Sequence, residues 1–86
     1  MPNRSLKSYI QELSKERLKL NRYANKIEKT HEQSKLYSDR LNKAITQEEK
    51  CIALVDKINK RLPETKKLSS IVYNISSKDL EELLYN

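Results

Sequence analysis

Apolar side chains recur along the first 62 residues at alternating intervals of three and four. Counting in sevens from Leu6 gives Leu13, Leu20, Ile27, Ser34, Leu41, Glu48, Val55 and Leu62. The companion column, three residues on, reads Tyr9, Glu16, Tyr23, Thr30, Tyr37, Ala44, Cys51 and Ile58. Thirteen of these 17 positions are apolar, against about 6 for a random draw from a 36% hydrophobic chain, so the spacing is a helical seam rather than chance. A third column, Ile10, Arg17, Ala24, His31, Ser38, Ile45, Ile52 and Asn59, is half apolar and lies beside the first. It broadens the stripe toward what helices show inside bundles.

The pattern predicts an all-α protein. Glycine is absent and proline occurs only at Pro2 and Pro63, so nothing between them forces the backbone out of a helix. The expectation is one long coiled-coil or bundle helix over about residues 4–62, roughly 87 Å if unbroken at 1.5 Å per residue. Its weakest stretch is polar, Thr30-His31-Glu32-Gln33-Ser34, and Thr30 with Gln33 matches a helix-start capping box. A break near residues 30–38, folding the helix back as an antiparallel hairpin, is the alternative, disfavoured by the missing glycine. Pro63 closes this first unit, residues 1–62, because the residue before proline disfavours helical geometry. The second unit, residues 63–86, reads as two short amphipathic helices. Leu68, Ile71, Val72 and Ile75 line the first, and Ser76 to Asp79 offer an N-cap to the second, with Leu80, Leu83 and Leu84. Both are too short to hold alone in water and are expected to dock on the long helix or on a partner.

Composition sharpens this picture in one respect: an 86-residue chain with a single cysteine and a single histidine has no disulfide or metal cluster to stabilise a small core. A partner chain or a second copy is therefore expected to supply the missing burial. No run approaches the roughly 20 apolar residues of a membrane span, and the amino terminus has no signal-like apolar stretch, which leads us to expect the nucleus or cytoplasm.

The net charge of +6 is uneven, with residues 1–62 at +7 and residues 63–86 at -1. On the heptad wheel Lys15, Arg22, Lys29, Lys43, Lys50 and Lys57 lie next to Lys19, Lys26, Arg40 and Arg61, with Glu12 the one acidic residue among them. Such a stripe is a solvated face with local pairs, Asp39 to Lys43 and Asp56 to Lys60, or a surface for an acidic partner or a phosphate backbone. Tyr9, Tyr23 and Tyr37 share one column and are read as core residues rather than base-stacking platforms. Cys51 is read as a buried thiol and His31 as a structural or exposed residue rather than a ligand. Glu16 and Glu48 interrupt the seam, as residues that set register or partner choice do.

No nucleophile with its base, no carboxylate pair and no glycine-rich phosphate loop can be assembled, so neither an enzyme, a cofactor nor a small-molecule substrate is expected. The expected function is that of a non-enzymatic interaction subunit of a multiprotein intracellular assembly, a scaffold element built on coiled coils. Its partner-binding seam comprises Leu6, Tyr9, Leu13, Leu20, Tyr23, Ile27, Tyr37, Leu41, Ile45, Ile52, Val55, Ile58 and Leu62. Leu68, Ile71, Val72, Ile75, Leu80, Leu83 and Leu84 form its second docking element. The partners are other coiled-coil proteins, a hetero-oligomer in preference to a homo-oligomer. Two alternatives stand beside it: a basic coiled coil that binds nucleic acid or chromatin through Lys15, Lys19, Arg22, Lys26, Lys29, Arg40, Lys43, Lys50 and Lys57, and a homodimeric spacer.

Overall fold

The computed structural model describes residues 4–85; the ends of the two expected units, residues 1–3 and 86, lie outside them. The protein is all-helical, and no strand occurs among the described residues. Two long helices, α1 (Leu6–Glu28) and α2 (Lys35–Asn59), are followed by single 3-10 turns at Glu64–Lys66 and Val72–Asn74 and by a nine-residue helix, α3 (Ser77–Tyr85).

The rod is therefore broken, within the polar stretch. Continuing the helix through Thr30 and Ser34 would leave the apolar seam in water over its whole length, whereas folding back buries one half against the other. The molecule accordingly measures 45 × 30 × 18 Å rather than 87 Å in length. The bend needs no glycine, since no described residue has a positive φ, and Lys29 caps α1 at φ -92°, ψ 1°. Side chains supply what glycine would have. The Thr30 hydroxyl donates to the Lys26 carbonyl (2.6 Å), His31 Nδ1 accepts from the Gln33 amide (3.2 Å), and the Ser34 hydroxyl donates to the His31 carbonyl (2.9 Å) while accepting from the Tyr37 amide (3.2 Å). The N-cap of α2 is thus Ser34, not Thr30.

Pairing across the hairpin has a definite register. Gln47 binds Glu16, Lys57 lies over the Tyr9 ring, and Arg61 donates to the Arg4 carbonyl. Running antiparallel, this register sets Leu6 level with Ile58, Leu13 with Cys51, Leu20 with Ala44 and Ile27 with Tyr37. Members of the first heptad column face members of the second. The seam is real, and its other side is the same chain.

The tail returns over the open end of the hairpin, where α3 packs on α1 and the turn Val72–Asn74 packs on α2. One core results, built from Ile10, Leu13, Leu20, Cys51, Leu54, Val55, Ile58, Leu68, Val72, Ile75 and Leu80, with Leu6, Tyr9, Leu62, Leu83 and Leu84 partly buried against it. Burial of each large side chain contributes about 1.5–3 kcal/mol, so the chain supplies for itself the core that its length led us to expect from a partner. The first tail segment is not a regular helix. Its extended stretch is clipped by Asn59, whose Oδ1 accepts from the Leu68 amide (2.8 Å) and whose Nδ2 donates to the Leu68 carbonyl (3.1 Å). Further along, Arg17 Nε donates to the Ile75 carbonyl (2.7 Å). At α3 the expected cap forms as a reciprocal pair, the Asp79 amide donating to the Ser76 hydroxyl (3.1 Å) and the Ser76 amide to the Asp79 carboxylate (2.9 Å).

Candidate partner-docking surface

The tail reaches only part of the hairpin. Near the open end, α1 and α2 carry a third layer; toward residues 29–34 they are a bare pair. The core reflects this, since its α1 members stop at Leu20 and its α2 members begin at Cys51. Beyond, Ala44 is buried in the seam, whereas Tyr23, Ile27 and Tyr37 are half-buried and Leu36, Leu41 and Ile45 are 50%, 37% and 46% exposed.

The expected docking residues therefore divide. Leu13, Leu20, Val55 and Ile58 are sealed inside the hairpin, as are Leu68, Val72, Ile75 and Leu80 of the tail. Leu6, Tyr9, Leu62, Leu83 and Leu84 line the edge of that core. What faces solvent is Leu41, Ile45 and Ile52 on one flank of α2, together with Ile71 of the tail. Leu41, Ile45 and Ile52 recur at four and seven residues, which places them on one face of the helix. Residues that the heptad columns did not select, Leu18, Leu36, Tyr73 and Tyr85, are also exposed apolar groups.

The opposite flank of the hairpin is polar and cationic. Near its middle lies Glu16, only 4% exposed, whose carboxylate accepts from Gln47 Nε2 (2.6 Å) and pairs with Lys50 (3.2 Å) and Lys19 (3.6 Å). Gln47 also donates to the Glu16 carbonyl (2.9 Å). The Gln47 hydrogen bond, joined by the two lysines, outweighs desolvation and holds this carboxyl below the usual carboxylate range. Glu16 thus sets the register of the chain with itself. Its sequence signal was legible as a polar interruption, but the identity of its reader, Gln47, was not, because that depends on the fold-back. Glu48 lies near Tyr73 of the tail, where burial and then the carboxylate push the phenol upward.

At the open end the Tyr9 ring is surrounded by Arg4 (4.5 Å), Arg61 (5.2 Å) and Lys57 (5.7 Å), each within cation–π range of its centroid. Arg4 also pairs with Glu12 (2.9 Å). At the other end Arg40 reaches back from α2 to the Thr30 hydroxyl and the Lys26 carbonyl. Much of the predicted stripe is therefore engaged: Lys19 and Lys50 at Glu16, Arg40 at the bend, Lys57 on Tyr9. The expected pairs Asp39–Lys43 and Asp56–Lys60 are not formed among the described residues, where the remaining ion pair is Lys67–Glu64. Lys15, Arg22 and Lys29 are exposed, and Lys26 and Lys43 line an open groove of about 850 Å3 with Tyr23, Leu36, Asp39, Arg40, Asn42, Thr46 and Gln47.

Cys51 is sealed in the core, where burial and then the charge of Glu16 push its thiol up to about 11. No three His, Cys, Asp or Glu side chains converge on a common point among the described residues, and no described helix is long and apolar enough to cross a membrane. Comparison of the chain with family models, with curated proteins and with solved structures gives no match.

Proposed function

We propose that this protein is a non-enzymatic interaction module, a subunit of an intracellular assembly that adds its helical hairpin to helices of other chains. The observation that carries this reading is the contrast along the hairpin. The open end carries a third layer, while the distal half is a bare pair of helices that leaves Leu41 and Ile45 in water on one flank and Leu36 on the other. Leu41, Ile45 and Ile52 follow one another along a single exposed face of α2, and a contiguous apolar row on a small protein marks an interaction surface. Most of the heptad seam is consumed within the chain, so the partner surface is the flank where exposed Leu41 of the first column joins Ile45 and Ile52 of the third. A net charge of +6 opposes pairing with a second copy and favours a hetero-oligomer.

The test is the double variant Leu41→Glu, Ile45→Glu. Both positions are exposed, so circular dichroism and the thermal midpoint should stay close to the parent. Co-purification from the native cell should lose helical partner proteins that the parent retains. Partners retained at parental levels would refute the reading.

A basic, polyanion-binding module is the second reading, supported by the collection of Lys26, Lys43, Lys50, Lys57 and Arg61 along one flank of the hairpin. It has the weaker support, because Glu12 and Glu16 neutralise part of that flank.

A further inference from the structure

A second surface is the groove on the cationic flank. Its floor carries the half-buried Tyr23 and the half-exposed Leu36, with Thr46 at its far end. It is also lined by Lys26 from α1 and Lys43 from α2; neither forms an ion pair among the described residues. Arg40 also lines it but is occupied at the bend, and Asp39 is the acidic residue in the lining. From Leu36 to Gln47 the groove follows about three turns of α2, roughly 17 Å, the length of a short helix laid between two others. Beyond the flank proposed above, we propose that this groove, on the opposite side of the hairpin, receives an acidic amphipathic helix, whose apolar residues cover Tyr23 and Leu36 and whose carboxylates meet Lys26 and Lys43.

Charge decides among occupants. A second copy of this chain would bring the same lysines against each other. Nucleic acid would leave Leu36 and Tyr23 uncovered unless bases stacked on the tyrosine, and a continuous phosphate path would run onto Glu16. An acidic helix satisfies both the apolar floor and the cationic walls.

The experiment titrates the full chain into fluorescent helical peptides of about 12 residues that share one leucine face and carry Glu, Gln or Lys on their flanks. The Glu peptide should bind at least about tenfold more tightly than the Gln peptide, and the advantage should fade at about 0.5 M salt. In Lys26→Glu, Lys43→Glu the preference should reverse toward the Lys peptide, a gain that misfolding would not produce. Leu36→Glu should weaken both. Amide NMR shifts should map to residues 23–26 and 36–47. Equal binding of all three peptides, no binding, or no reversal in the lysine variant would each overturn the inference. So would a single-stranded DNA of matched charge that displaces the Glu peptide with equal affinity, or chain dimerisation that buries the groove. The Leu41→Glu, Ile45→Glu exchange acts on the other flank, so its result judges the broader docking reading independently.

Discussion

Glu16 shows how one side chain can carry structural information that its position in a heptad does not reveal. A charge in a seam is costly unless it is hydrogen-bonded and paired, and Gln47, Lys50 and Lys19 provide both. Sliding one helix by a turn would leave the carboxylate without them, so the residue disfavours other registers. Because its folded pKa is lowered, its stabilisation is complete above the ordinary glutamate value of 4.5 and is lost as pH falls through the folded value. Glu16→Gln should lower stability at neutral pH by about 1–2 kcal/mol and flatten the acid side of the stability profile; thermal melts between about pH 3 and 7 check both. Parental behaviour at low pH would show that Glu16 is not the group being titrated. Cys51, at the level of Leu13, was legible as a buried thiol from its place in the seam. His31 has a structural part in the bend, where its ring nitrogen accepts from Gln33.

At the scale of elements, helical character was legible and continuity was not. The three-and-four spacing runs unchanged through the bend, since a hairpin of even register preserves both columns, and periodicity alone cannot separate a rod from its fold-back. What marked the bend was the cluster of Thr30, His31, Gln33 and Ser34, whose side chains replace helical main-chain bonds. The carboxy-terminal helix was legible from Ser76 and Asp79 because a capping box is local chemistry. Ser76→Ala removes one half of that box and should cost about 1 kcal/mol, lowering the thermal midpoint by about 4–8 °C, as differential scanning calorimetry would record. Residues 68–75 resisted prediction for the opposite reason: apart from the single turn at Val72–Asn74, the ends of this segment are held by side chains of other elements, Asn59 at Leu68 and Arg17 at Ile75, which local propensity does not report.

Over the whole molecule, the radius of gyration of 14.6 Å exceeds the roughly 12 Å of a compact domain this size, as a three-layer base with a two-layer projection requires. Stability should follow the same gradient. Native-state hydrogen exchange should protect the amides of residues 10–20 and 51–58 close to the global unfolding limit, and those of residues 22–45 markedly less. Uniform protection would mean that the distal pair needs no third layer. Arg17 and Asn59 act differently from the apolar tail residues: both grip main-chain atoms, at Ile75 and at Leu68, and so are indifferent to which side chains follow. An evolutionary lineage could rewrite the exposed tail positions Ser70, Ile71 and Asn74 freely while retaining those two fasteners, changing what the molecule presents outward without relearning how to close.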